Sequence, residues 1–234
     1  QHREARRLGP AKTGGKKIRP LLILLMAKAC NYKGNDHINT AVIIEFIHTA
    51  TLLHDDVIDS SLIRRGINTV NNNWGNKTSI LMGDFLYSRA FQIAITINNT
   101  EILNILANTT NILAEGEIFQ LYKQFDIEIS EEDYFKIINQ KTAKLFESSL
   151  QIISILSKTS IDIKKNICTY GYNFGIIYQL MDDILDYTAS HENYGKKKES
   201  DIDEGKVTLP LIYAYKNCNK TEKNIIKNII QKKE

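Results

Sequence analysis

Cysteine is scarce in this chain of 234 residues. Cys30, Cys168 and Cys218 are the only three, widely spaced and without a CxxC pair. An odd, scattered set excludes a disulfide framework and a cysteine zinc site, and it points to a reducing compartment. Proline is as rare, at three, and glycine numbers twelve, so little interrupts regular secondary structure. Period-two alternation of β-branched residues is nearly missing, while Leu, Ile and Ala recur at helical spacing. The chain reads as all-α, with helices longer than average. No apolar run approaches the roughly 18 uncharged residues of a membrane span; the longest, at 21–27, stops at Lys28. No secretory leader is legible. An excess of one charge is lacking too: 30 Lys and Arg stand against 27 Asp and Glu, a net +3. Without a basic stripe interleaved with aromatics, nucleic acid is not an expected partner. The expectation is a cytoplasmic protein with no stable membrane anchor. Its size allows a single domain that buries roughly 70–75% of its unfolded surface.

What the chain does have is clustered acid. Residues 40–66 read TAVIIEFIHTATLLHDDVIDSSLIRRG. At about 100° per residue, with Glu45 at zero, Asp56 falls near about 20°, Asp59 near about 320°, His48 near about 300° and Asp55 near about 280°. These groups share an arc of roughly 100° on an otherwise apolar helix. Unpaired buried charge is costly, so something cationic is expected there. Residues 171–187, GYNFGIIYQLMDDILDY, repeat the pattern. Counting from Gln179, Asp182 lies near about 300°, Asp183 near about 40° and Asp186 near about 340°. Gly171 and Gly175 precede them on the same face and read as space left for a ligand.

Other segments are read around these two. Residues 1–13 lack the Ile and Asn that fill the rest, and read as a mobile arm or an appended remnant, with 14–234 as the domain proper. Residues 14–20, GGKKIRP, form a basic turn into a helix N-terminus, a place that gathers phosphate. Arg64 and Arg65 follow Asp59 by little more than a turn. Guanidiniums beside carboxylates suit a diphosphate carrying a divalent metal. Asp84 and Arg89 read as an internal polar pair. Ser130 before Glu131, Glu132 and Asp133 reads as a capped helix start. Lys141, inside an apolar helix, needs an anionic partner. Residues 191–206, HENYGKKKESDIDEGK, read as too polar for the core. Ile225, Ile226, Ile229 and Ile230 mark a C-terminal packing helix.

In this order, GGKKIRP, LLHDDVIDSSLIRRG, GDFLYSRAF, KTAKLFE, GYNFGIIYQLMDDILDY and DEGKVTLP resemble the trans-isoprenyl diphosphate synthases. The segments EFIHTATLLHDD and AEGEIFQL are most similar to the bacterial octaprenyl diphosphate synthases that make quinone side chains. The resemblance runs from about residue 14 to 215. It implies an all-α isoprenoid-synthase bundle around a deep central cavity, usually a homodimer. It implies about three Mg²⁺ per active site, bound through Asp55 and Asp59 and through Asp182, Asp183 and Asp186. Asp56 is implied to stand behind the metal ligands. By the same resemblance, Lys16, Arg19, His48 and Arg65 bind isopentenyl diphosphate. Arg64, Lys141, Thr142, Gln179 and Lys206 hold the allylic diphosphate. The catalytic set is then Asp55, Asp56, Asp59, Arg64, Lys141, Asp182 and Asp183. Ile47, Ala50 and Thr51, none aromatic, lie down the helix before Asp55 and are implied to let a long product pass. The alternatives are a shorter-chain farnesyl or geranylgeranyl diphosphate synthase, and a non-catalytic regulatory subunit of a heteromeric synthase. The chain carries fewer residues after Pro210 than such synthases do, and its C-terminal helices read as incomplete.

Overall fold

The computed structural model describes residues 16–64, 66–188 and 201–231. The arm at 1–13, the two glycines of the basic turn, Arg65 and the stretch 191–200 lie outside the described residues. The fold is all-α, as expected. Among the described residues the one sheet is a two-stranded antiparallel hairpin of β1 (Ile63–Arg64) and β2 (Ile67–Asn68). The described chain groups into two compact units. One contains Lys33–Ile97 and the helix before it; the other contains Cys30–Tyr32 and the chain from 98 onward. No helix among the described residues is long and apolar enough to cross a membrane.

The first unit holds α1 (Ile18–Ala29), α2 (Asp36–Ile58), the hairpin, α3 (Val70–Trp74) and α4 (Asn76–Thr96). Pro20 sits in the first turn of α1, where its missing N–H has no helical partner to lose. Before it, Lys17 adopts φ 47° and pairs with Glu45 on α2. Glu45 is therefore compensated by Lys17, although the helical wheel groups it with the aspartates. Ile43, Ile44, Ile47, Ala50 and Leu53 of α2 are buried, and α2 packs chiefly against α4. Thr40, Thr49 and Thr51 are tolerated in this helix because each hydroxyl donates to a carbonyl of its own helix at 2.7–2.8 Å. The two helices close where Gly83 meets His54: a Cβ there would fall 2.3 Å from His54 Nε2. Asp84 and Arg89 do not pair, contrary to expectation. Asp84 stands 3.4 Å from His54 Nε2, and Arg89 donates to Gln92 at 2.8 Å. Five residues along a helix is about 140° of rotation beyond a full turn, which points the two side chains apart.

The second unit holds α5 (Thr100–Tyr122), α6 (Glu131–Ile138), a π turn (Asn139–Ala143), α7 (Lys144–Leu156), α8 (Ile161–Thr188), α9 (Leu209–Asn217) and α10 (Lys220–Gln231). Ser130 caps α6 as expected, its Oγ accepting from the Asp133 N–H at 3.0 Å. Glu131, Glu132 and Asp133 fill the first turn, where the helix dipole favours them. The apolar helix expected around Lys141 is broken in hydrogen-bond pattern by the π turn. The expected ligand space at Gly171 and Gly175 is a correction. Added Cβ atoms would lie 2.9 Å from Glu147 Cα and 2.4 Å from Ala143 Cα, so these glycines let the neighbouring backbone approach α8. The last helix packs only in part as expected: Ile230 is buried in a cluster that includes Tyr134, Ile137, Leu211 and Ile212, with Ile226 against it, while Ile225 and Ile229 are exposed. The polar stretch before α9 is not all surface. Ile202 packs on that cluster, and Gly205 (φ 71°) accepts from the Phe125 N–H at 2.8 Å.

Candidate active site

The first acidic motif lies at the C-terminal end of α2. Asp59 is the cap residue, and Ser60 comes next, in the left-handed region at φ 52°. The Ser60 N–H donates to Val57 O at 3.2 Å and the Ser61 N–H to Asp56 O at 2.9 Å. That pair of bonds is a Schellman closure, and it puts Asp55 and Asp56 in the last turn. A helix C-terminus is the negative end of the dipole and favours cations, yet the last turn contains no base. Asp55 and Asp56 are buried, at 8% and 4% exposure. Arg64, on β1, supplies part of the compensation, its Nε donating to Asp56 Oδ1 at 2.7 Å. Burial still pushes the Asp56 carboxyl above its ordinary value; Arg64 pulls it down, while Asp55 and Asp59 push it up.

Two uncharged residues, neither of them singled out from the sequence, hold this chain reversal. Asn71 Nδ2 donates to Asp56 O at 2.9 Å and to Ser61 O at 3.0 Å, and the Thr69 hydroxyl donates to Ser61 O at 2.8 Å. Nothing in T-V-N marks such a role, because both partners are backbone carbonyls. Of the other residues expected here, Lys16 is exposed, Arg19 is buried on α1 and His48 is half-buried on α2. Ile47 and Ala50 have no exposed surface, and Thr51 is half-buried.

The second motif occupies α8 near its end. Asp182 is exposed, Asp186 half-buried and Asp183 buried at 4% exposure. Both Asp183 oxygens are engaged: Oδ2 accepts from the Tyr134 hydroxyl at 2.5 Å and Oδ1 from Gln179 Nε2 at 2.8 Å. Gln179 Oε1 in turn accepts from the Thr142 hydroxyl at 2.7 Å. Burial pushes the Asp183 carboxyl up; the Tyr134 and Gln179 bonds oppose this, and Asp182 and Asp186 add to it. Burial beside Asp183 likewise lifts the Tyr134 hydroxyl above the usual phenol range. Asp201, whose N–H donates to Asp186 Oδ2 at 3.1 Å, is pushed up to about 7 by burial and by Asp186 and Asp183. Lys141, on the π turn, finds its anionic partner in Glu117 at 2.9 Å, and Lys206 pairs with Glu204 at 2.6 Å. The sequence reading missed Tyr134 and Asp201 as parts of this site. Tyr134 stands in an unremarkable helical pattern, and Asp201 sits in a charge run.

Hard carboxylate oxygens suit a divalent cation such as Mg²⁺ or Ca²⁺. The acidic surroundings fit one: at Asp56, Asp183 and Asp201 burial and like charge both disfavour the anion, and positive charge added beside them would relieve that. Among the described residues no three His, Cys, Asp or Glu side chains form a group that could hold a metal ion unaided. Mg²⁺ is usually held by one or two carboxylates together with substrate phosphates.

Known proteins share this chain's sequence and fold. A family model described as polyprenyl synthetase matches residues 10–234. The chain is 44% identical to octaprenyl diphosphate synthase of Escherichia coli (strain K12) over 218 residues, 93% of this chain and 68% of that protein. It is 40% identical to the all-trans-nonaprenyl-diphosphate synthase (geranyl-diphosphate specific) of Rhodobacter capsulatus, covering 94% of this chain and 67% of that protein. Among solved structures, a polyprenyl synthase from Caulobacter crescentus CB15, complexed with calcium and isoprenyl diphosphate, superposes with a TM-score of 0.90 at 38% identity. That match covers 96% of this chain and 68% of the other. The chain belongs to the polyprenyl synthetase family.

Proposed function

We propose that this chain joins an allylic diphosphate to successive isopentenyl diphosphate units and releases octaprenyl diphosphate, a precursor of quinone side chains. The reaction class is that of its family and relatives, a trans-prenyltransferase making long-chain polyprenyl diphosphates. The observation that carries the site assignment is the concentration of buried acid at the C-terminal end of α2, beside Arg64. Such an arrangement is electrostatically unfavourable unless cations join it.

A divalent metal belongs to this chemistry, and we assign Mg²⁺, about three ions per site. Asp55 and Asp59, one turn or about 6 Å apart along α2, hold it in the first motif, and Asp182 and Asp186 in the second. Bound there, the metal withdraws charge from the diphosphate and makes it a better leaving group. Asp183, expected among the metal ligands, has both oxygens held by Tyr134 and Gln179, and Asp56 has its Oδ1 held by Arg64; these two keep their neighbours in place. Arg64, Lys141, Thr142, Gln179 and Lys206 bind the allylic diphosphate; Lys16, Arg19, His48 and Arg65 bind isopentenyl diphosphate. Lys141 and Lys206 share their charge between Glu117 or Glu204 and the substrate. The side-chain cations bind the diphosphate oxygens as the allylic C–O bond breaks, with its electron pair leaving on oxygen. The double bond of isopentenyl diphosphate then forms the new C–C bond, and a proton departs with the pyrophosphate. No side-chain nucleophile takes part. A homodimer in the cytoplasm completes the reading.

The test is incubation with farnesyl diphosphate, labelled isopentenyl diphosphate and Mg²⁺, and then sizing of the product. Octaprenyl as the main chain is expected. A product that stops at farnesyl or geranylgeranyl length sinks the long-chain assignment, and no turnover by the isolated protein favours a regulatory subunit.

A further inference from the structure

We propose that Tyr134 is a positioning residue for this reaction: it holds Asp183 turned into the protein, so that Asp182 is the acid offered to the metal-bound diphosphate. The proposal rests on the prenyltransferase reading. Tyr134 is 3% exposed, and its hydroxyl takes Asp183 Oδ2 at 2.5 Å. The Gln179 amide takes Oδ1 at 2.8 Å, and the Thr142 hydroxyl on Gln179 Oε1 fixes which end of that amide faces the acid. Both donors therefore trace to one stretch of chain, 134–142.

The π turn makes this grip possible. In an unbroken α-helix, residues eight apart lie about 80° from each other. A π turn holds one residue more than an α turn, so the rotation per residue is smaller across Asn139–Ala143. Thr142, inside that turn, is thereby brought closer to the line of Tyr134 than about 80°. Glycines let the neighbouring helices close on the turn. A Cβ at Gly116 of α5 would lie 2.7 Å from Gln140 Cβ, and one at Gly175 of α8 would lie 2.4 Å from Ala143 Cα. Asp182, one residue before Asp183 and about 100° round the helix, is exposed. Without its donors Asp183 would be a buried acid lacking compensation, next to the acid that has to bind.

The test uses the full chain and Tyr134→Phe, which keeps the ring and removes the hydroxyl. Mn²⁺ binding is measured by electron paramagnetic resonance with inorganic pyrophosphate present, and the Mg²⁺ dependence of isopentenyl incorporation is measured in parallel. Loss of a group that orients metal ligands weakens metal binding by roughly 10–100-fold. A rise of about that size in half-saturating Mn²⁺ and Mg²⁺ is expected, with a smaller fall in turnover at saturating metal. Asp183→Asn is expected to weaken Mn²⁺ binding as well, and the double variant to be no worse than Asp183→Asn alone. A merely structural role would lower the melting temperature and leave the metal half-saturation where it was, which overturns the proposal. Strict additivity in the double variant also overturns it, as does a wild-type protein that binds no Mn²⁺ with pyrophosphate. Thr142→Val, which frees the Gln179 amide to turn, is the second variant should Tyr134→Phe fold poorly. It is expected to weaken Mn²⁺ binding too, and unchanged binding counts against the proposal. Wild-type protein that binds Mn²⁺ and pyrophosphate but makes no prenyl product refutes the prenyltransferase reading, while the Mn²⁺ titrations still decide the role of Tyr134.

Discussion

Asn71 carries no charge, yet it secures the backbone from which three aspartates project. Its amide satisfies the carbonyls of Asp56 and Ser61 in a buried setting. Asn71→Ala removes one of the two donors on each of these carbonyls, which keep the Ser61 N–H and the Thr69 hydroxyl, at a cost of about 0.5–1.5 kcal/mol per bond. A lower urea midpoint is expected, and an unchanged one would contradict the clasp. Asp201 gives a pH dependence. Its carboxyl sits at about 7 in the folded protein against about 3.9 when unfolded. Between those values the folded state binds more protons than the unfolded state. The stability this contributes is complete below about pH 4 and is lost as the pH rises through about 7. Metal-free protein should therefore weaken across that window, by at most about 4 kcal/mol from this residue. Asp201→Asn should flatten part of the slope, with Asp56 and Asp183 shifted in the same direction supplying the rest. Denaturation at several pH values checks it; identical slopes for the two proteins would refute the assignment.

Helices meet closely here where glycine allows it, and the cost of filling each contact depends on what stands opposite. At Gly175 the obstacle is backbone, Ala143 Cα at 2.4 Å, so Gly175→Ala must push α8 away from the π turn. A loss of roughly 1–3 kcal/mol is expected. At Gly83 the obstacle is the tip of the His54 ring, which can rotate away and give up its 3.2 Å contact with Ile80 O. Urea denaturation should rank Gly175→Ala as the more damaging, and the reverse order would mean that the π turn yields easily. The long helices were legible from period and flanking residues. The acidic helix read at 171–187 lies within α8, which runs Ile161–Thr188, and the Ser130 cap is where its pattern placed it. The π turn was not legible, because its hydrogen-bond shift answers to Gly116 and Gly175 on other helices. The hairpin and α3 escaped for a simpler reason: strands of two residues and a helix of five are too short to show a period.

For the whole chain, product length is the property that a single side chain can report. Of the positions expected to govern it, Ile47 and Ala50 have no exposed surface, while Thr51, a turn before Asp55, keeps some. Thr51→Phe should shorten the prenyl product in a chain-length assay, and an unaltered product distribution would remove Thr51 from that role. Composition and helical period by themselves determined the all-α class. The order of two acid triplets, a basic turn and a Lys-Thr pair determined the family, since motif order is a property of the chain alone. Only the tertiary structure decided which acids are open and which are held. Asp56 is tied to Arg64, and Asp183 to Gln179 and to Tyr134, which lies 49 residues away. A helical wheel assigns each acid a direction on its own helix. Burial and hydrogen bonding are settled by whatever other helices bring to that face.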